Sequence, residues 1–435
     1  MESNPRLRHT GDRIGCVAIH RFTVFTLRTI HQAKAAVSDP IPVNKQLQAL
    51  DVSSVEYATR FVELLLVEAT RLGASDVHLQ PQGEALDIAW RLDGVLQPLG
   101  SYSPGQSSHV ITRLKVLAEL LTYRSDLPQE GRIRAASNVE MRVSTMPTLH
   151  GERAVVRLFA PRGQHLRLPD LGMEDDHQKA LAGLLLETAG VILITGPAGS
   201  GKTTTAYALL REIAQQSPGS KCLVSLEDPI EVDVPGMAQS EVNSAAGFDM
   251  ATGIRSMLRQ DPEVIFVGEI RDRETAECAL QAALTGHLVI TTFHAGSTAE
   301  AISRLSDMDI EPYVLRSCLL GIVNQRLVRR LCHCAQPVQV PDGLLGLAAA
   351  SALVPGTCPD CAHTGYRGRH MLSELLLLDH DGIAQAILTR RDARQLELLA
   401  KDSGMITRWQ RAITALEQGI TSPTEIRRVL GFSEN

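Results

Sequence analysis

Gly196-Pro197-Ala198-Gly199-Ser200-Gly201-Lys202-Thr203 satisfies the pattern G-x-x-x-x-G-K-[ST] at every position, and Thr204 extends it. Its flanks decide what the match means. Val191-Ile192-Leu193-Ile194 leads in as an apolar run that reads as a buried strand. Thr204 to Ile213 reads as a helix with Ala206, Leu209, Leu210 and Ile213 on one face. In a strand–glycine loop–helix setting, backbone amides close around a polyphosphate and the helix end adds partial positive charge. Lys202 then reaches the β- and γ-phosphates, and the Thr203 hydroxyl ligates Mg²⁺. The stretch predicts a nucleoside triphosphate site.

Composition narrows the partners. The 435 residues correspond to roughly three domains. A net charge of −6 argues against a general nucleic-acid footprint, and 4% aromatic content against a base-stacking surface. No uncharged apolar run is long enough for a membrane-spanning helix. Cys16-Val17-Ala18-Ile19 is cut short by His20 and Arg21, which argues against a signal-peptide core there. A cytoplasmic location is expected, with residues 1–35 forming a basic tail or a membrane-surface contact. Of eight cysteines, Cys16, Cys222, Cys278 and Cys318 are scattered. Cys332, Cys334, Cys358 and Cys361 cluster, which in a reducing compartment points to a metal rather than disulfides.

Hydrophobic patterning divides the chain. Residues 1–50 have weak periodicity and end in the linker signal Pro40-Ile41-Pro42. Val55, Ala58, Val62, Leu65, Leu66, Ala69 and Leu72 predict a helix, capped by Ser53 or Ser54 and stopped by Gly73. Short alternating segments follow, so 51–160 reads as an α+β unit. A proline-bounded linker spans 161–170. Strands then alternate with helices over 171–330, which implies an α/β unit with a mostly parallel sheet. A cysteine module is expected at 331–369 and a helical region at 370–435.

Two acidic clusters follow predicted strands of that α/β unit. In Val264-Ile265-Phe266-Val267-Gly268-Glu269, a buried strand delivers Glu269 to where Mg²⁺ and an attacking water are needed. Leu226-Glu227-Asp228-Pro229-Ile230-Glu231 offers Glu227 at the same edge of the sheet, placed to act on Mg²⁺ through its hydration shell. The cysteines form one C-x-C and one C-x-x-C pair. Zinc favours four thiolates in a tetrahedron, with His333 or His363 as substitutes for one of them.

With these stretches, the chain resembles the secretion ATPases of type II secretion and type IV pilus assembly. Further matching segments are Gly73-Ala74-Ser75-Asp76-Val77-His78, Leu127-Pro128-Gln129-Glu130-Gly131-Arg132 and Ala283-Leu284-Thr285-Gly286-His287-Leu288-Val289-Ile290-Thr291-Thr292-Phe293-His294. The resemblance runs from about residue 51 to the C-terminus. It implies a PAS-like domain joined to a RecA-like ATPase domain, a homohexamer, and partners in an inner-membrane secretion or pilus platform. It implies that His287 and His294 contact the γ-phosphate, and that Arg142 and Arg157 reach from the first domain towards the phosphates. Retraction motors of the family generally lack the cysteine module. The implied activity is ATP hydrolysis that drives pseudopilin or pilin assembly; a nucleotide-gated scaffold with little turnover is the alternative.

Overall fold

The computed structural model describes residues 42–83, 85–102, 107–134, 140–158, 167–216, 219–338, 341–378 and 381–432. The first unit opens with helices α1 (Pro42–Gln48) and α2 (Tyr57–Arg71). Strands β1 (Asp76–Gln82), β2 (Ala85–Leu92) and β3 (Val95–Tyr102) come next, then α3 (Ser107–Leu117), β4 (Gln129–Arg134), β5 (Glu140–Thr148) and β6 (Gly151–Leu158). The six strands form an antiparallel sheet in the order β3-β2-β1-β6-β5-β4. Period-two alternation puts Val77, Leu79, Ile88, Trp90, Val143 and Val156 in one core with Phe61 and Leu65 of α2 and Leu114 of α3. On the other face, Arg91, Asp76, Arg157, Arg142 and Arg132 stand in register as one row across five strands.

Two expectations change here. The N-terminal segment does not give way to the α+β unit at residue 50, because α1 belongs to its core. Val43 and Leu47 are 2% and 1% exposed, and the Tyr102 hydroxyl donates to Asn44 Oδ1 at 2.7 Å. Pro42, part of the expected linker signal, opens α1, where its missing N–H costs nothing. Val55 lies outside α2 and is fully exposed; no side chain caps that helix, and Gly73 ends it at φ +69°. Residues 1–41 and most of the expected linker lie outside the described residues.

The second unit contains α4 (Asp175–Leu184), β7 (Gly190–Thr195), α5 (Lys202–Gln216), β8 (Leu223–Glu227), β9 (Met237–Glu241), α6 (Met250–Met257) and β10 (Val264–Ile270). It continues with α7 (Arg273–Leu284), β11 (Leu288–Phe293), α8 (Thr298–Asp307), α9 (Pro312–Cys318) and β12 (Leu319–Leu331). After the short β13 (Gln336–Pro337) and β14 (Leu353–Val354) come β15 (Tyr366–Leu377), α10 (Asp381–Leu388), α11 (Ala393–Asp402), α12 (Arg408–Glu417) and α13 (Pro423–Leu430). The sheet order is β15-β12-β7-β11-β10-β8-β9, parallel throughout except for β15. Both faces are covered. Val191, Leu193, Ile265, Val267 and Val289 enter one core, and Ile192, Ile194, Phe266 and Ile290 enter the other. Burial on both sides explains the unbroken apolar runs of these strands.

The expected boundary at 369/370 falls inside β15. Instead of opening a helical region, that segment returns to the main sheet and pairs with β12 from Gly321↔Leu377 to Leu331↔Tyr366. The cysteine segment is therefore a loop-out between two neighbouring strands.

Packing against β15 creates a pH-sensitive contact. His177 of α4 is buried, with Nδ1 2.8 Å from Ser373 Oγ and Nε2 3.2 Å from the Arg411 guanidinium. Burial first, and Arg411 second, push its pKa from 6.5 down to about 4. Above pH 6.5 both folded and unfolded chains carry neutral imidazole. As pH falls towards 4, only the unfolded chain gains the proton, so stability drops by about 3 kcal/mol over that window. Denaturant midpoints at pH 7.5 and 4.5 are expected to differ more for the wild type than for His177→Gln; equal differences would remove His177 from the pH response.

Candidate active site

The glycine loop connects β7 to α5, at the carboxyl edge of the parallel sheet. Gly196, Gly199 and Gly201 take φ values of +149°, +74° and +89°. A Cβ on Gly196 would lie 2.5 Å from Ser200 Oγ, so the turn requires glycine. Lys202 Nζ donates to the carbonyls of Gly196 and Pro197 at 3.0 and 3.2 Å. Burial lowers its pKa, partly offset by the nearby Glu269 carboxylate.

Lys202 and Thr203 share one cleft with Glu227, Asp228, Glu231, Glu269, Arg271 and His294. Thr204 is exposed and does not line it; of the remaining loop residues only Ala198 does. Glu269 stands at the end of β10, held by Arg271 Nε at 2.7 Å and by His294 Nε2 at 2.7 Å. Arg271 also donates to Asp228 at 3.0 Å; the Glu269 hydrogen bond does most to keep its guanidinium charged. Glu227 is 2% exposed and accepts from Ser225 Oγ at 2.7 Å, Gln239 Nε2 at 2.9 Å and the Tyr207 hydroxyl. Three donors fix this carboxylate, whereas Glu269 faces the cleft. Glu231 is pushed upward by burial first and by Glu227 second, with Arg157 pulling the other way. A threonine hydroxyl and several carboxylates are the hard oxygen donors that suit Mg²⁺.

His287 is not part of this cleft. It precedes β11, and its backbone carbonyl accepts from Gly190 at the start of β7; its ring Nδ1 lies 2.9 Å from the Ala282 carbonyl. His294 follows the same strand. A six-residue parallel strand therefore separates the two histidines by about 20 Å and leaves only His294 at the phosphate edge. Arg142 and Arg157 do not line the cleft either. They face each other across β5 and β6; Arg142 lies 3.4 Å from Glu130, and Arg157 donates to Asp76 at 3.0 Å.

Residues without a sequence signal complete the site. Gln325 on β12 donates to the Ser200 carbonyl at 2.7 Å and accepts from Thr205 at 3.0 Å, clamping the loop from behind. Tyr207 ties α5 to Glu227. Nothing local marks either residue, because their partners lie 20 to 125 positions away.

Cys332, Cys334, Cys358 and Cys361 converge where β12 leaves and β15 rejoins the sheet. Their sulfurs are 3.7 Å (Cys332–Cys358), 3.9 Å (Cys334–Cys361) and 3.6 Å (Cys358–Cys361) apart. A zinc tetrathiolate with bonds of about 2.3 Å has sulfur–sulfur edges of about 3.8 Å, so the C-x-C pair fits despite its shorter spacing. His333 is largely exposed beside the four sulfurs, with Nδ1 3.5 Å from Cys332 Sγ and Nε2 4.0 Å from Cys358 Sγ.

No helix among the described residues is long and apolar enough to cross a membrane. Residues 51–428 match the family described as Type II/IV secretion system protein. The chain is 39% identical over 404 residues to the Type II secretion system ATPase E of Vibrio cholerae, covering 91% of this chain and 79% of that one. It is 38% identical over 381 residues to the Type IV pilus assembly ATPase PilB of Thermus thermophilus, covering 85% of this chain. It spans only 42% of the length of that pilus relative. Among solved structures, the pilus retraction motor PilT with bound ADP aligns at a TM-score of 0.56 and 25% identity, over 84% of this chain and 96% of that one. The ATPase DotB of Legionella pneumophila shares the fold, at a TM-score of 0.64 and 22% identity over 88% and 97% of the two chains.

Proposed function

The chain belongs to the Type II/IV secretion system protein family and is a secretion ATPase; we propose that it works as a homohexameric motor at the cytoplasmic face of the inner membrane. In this reading ATP hydrolysis drives pseudopilin or pilin assembly through platform proteins. Type II secretion is the first assignment, because relatives bearing that name share most of their length with this chain. Type IV pilus assembly is the alternative that the Thermus thermophilus relative's name supports.

The observation that carries the reading is the meeting of Lys202, Thr203, Glu269 and His294 in one cleft. Lys202 would leave the loop carbonyls for the β- and γ-phosphates, and Thr203 would bind Mg²⁺. Mg²⁺ supplies charge neutralisation for the transferring phosphoryl group. Glu269, oriented by Arg271 and His294, aligns the attacking water and accepts its proton. Asp228 would hold the hydration shell of the metal, and Glu227, whose oxygens already accept from Tyr207, Ser225 and Gln239, would add its negative charge beside it. Arg142 and Arg157, outside this chain's own cleft, would reach a phosphate when the first unit, read as PAS-like, moves against a RecA-like neighbour. Turnover is thereby tied to domain position. The four cysteines hold a structural zinc.

Light scattering of the full chain with a slowly hydrolysed ATP analogue tests the assembly. Six copies of the 47.3 kDa chain are expected per particle; a particle that stays monomeric at every nucleotide and protein concentration would count against the motor.

A further inference from the structure

Strand β12 runs parallel to the P-loop strand, with Asn324 opposite Thr195, the last residue before the glycine loop. From this position three consecutive residues reach both loops that border the cleft. Asn324 Nδ2 donates to Thr195 Oγ1 at 2.9 Å and to the Ala295 carbonyl at 3.1 Å. The Gln325 carbonyl oxygen is packed against the loop, and a Cβ on Gly196 would come within 2.6 Å of it. Arg326 joins the two sides. Its Nη1 donates to that same Gln325 carbonyl and to Asn324 Oδ1, each at 3.1 Å, and its Nη2 donates to the Gly296 carbonyl at 2.9 Å.

Gly296 is two residues beyond His294, whose ring meets Glu269. One guanidinium therefore holds the backbone behind the phosphate loop and the backbone that carries His294. All of these hydrogen bonds run to neutral oxygens. Burial first, then repulsion from Arg408, lower its pKa to about 10, while Glu374 and Glu300 oppose this from a distance. A half-buried cation bonded only to carbonyl and amide oxygens is costly. The rigid planar fork gives a reason for arginine here, since a lysine ammonium cannot hold two backbones at fixed geometry.

We propose that Arg326 is a positioning residue that couples occupancy of the glycine loop to the setting of His294 against Glu269. A phosphate that shifts Gly196 displaces the Gln325 carbonyl, and the same fork carries that displacement to Gly296. This rests on Glu269 and His294 acting at the γ-phosphate, as argued above.

The test uses the full chain as Arg326→Lys, Arg326→Gln, His294→Ala and Arg326→Lys combined with His294→Ala, each checked by thermal melting. Arg326→Lys is expected to lose about tenfold in kcat, the size of a positioning effect, with KM for ATP within about twofold. Hydrogen exchange of the 288–300 peptide should slow with a slowly hydrolysed ATP analogue in the wild type and become indifferent to it in Arg326→Lys. The double variant should be no slower than His294→Ala alone. Three results overturn the coupling: wild-type exchange behaviour in Arg326→Lys, losses that multiply in the double variant, or losses that track the melting temperature alone. If His294→Ala turned over ATP at the wild-type rate, the role of His294 would fail, while the exchange data would still decide whether Arg326 links the two loops.

Discussion

Replacing Glu269 with glutamine is expected to lower steady-state phosphate release by about 10²–10⁴-fold, while ATP stays bound. The substitution keeps the shape and keeps an oxygen that can accept from Arg271 Nε. It removes the charge and the proton acceptor from the end of β10. Of the other acids lining the cleft, Asp228 is already paired with Arg271, and Glu227 is poorly placed to compensate. Glu227 is 2% exposed and already accepts from Tyr207, Ser225 and Gln239, so freeing it for a water would break a buried network. Binding should survive, because Lys202 and Thr203 open α5 and the loop amides lie between β7 and α5, not on β10. Phosphate release together with the amount of ATP retained on the protein checks both halves. A variant within about threefold of the wild type would mean that the water is oriented by another group.

Loss of the metal from the cysteine module should have a comparably large effect, on structure rather than chemistry. The cluster closes the base of a loop-out whose two stems, β12 and β15, lie side by side in the main sheet. Structural zinc contributes on the order of 10–16 kcal/mol to small folds that depend on it. Among the described residues between Cys334 and Cys358, the regular elements are the two-residue β13 and β14 and one 3-10 turn (Pro341–Leu344), and Leu347 joins a small core with Val328, Leu372 and Leu416, so packing there is sparse. Cys358→Ser is expected to bind less than one zinc per chain and to expose residues 332–365 to protease at temperatures where the wild type resists. The damage should reach the nucleotide site, because β12 also carries Gln325 against the glycine loop. A wild-type chain without zinc by metal analysis, or a Cys358→Ser chain as resistant as wild type, would contradict this.

Much of the site was legible along the chain because its parts are local. The loop 196–203, its strand and its helix are contiguous, and Glu269 follows a short apolar run that reads as a buried strand in that setting. What sequence could not supply was the end of the sheet at which each residue emerges. His287 and His294 sit in one motif, yet one precedes β11 and the other follows it. In a parallel sheet only the carboxyl ends meet the ligand, so the strand between them carries them to opposite edges. Strand β15 was missed for a different reason. Met371 to Leu377 is a short, mostly apolar segment broken by Ser373 and Glu374, whose period does not separate a buried strand from a helix, and Gly368 with its flanking arginines hides where it begins. Gln325, Tyr207 and Arg326 were silent because their roles depend on which strands become neighbours, and only the folded sheet shows that.

Phosphate release from ATP by the unmodified full chain, measured with magnesium and again with excess chelator, tests the central claim most directly. Sustained turnover with magnesium that falls to the protein-free background with chelator is the predicted result. Stoichiometric ATP binding without turnover, under conditions where the assembled particle is present, would contradict a motor and leave a nucleotide-gated scaffold in its place.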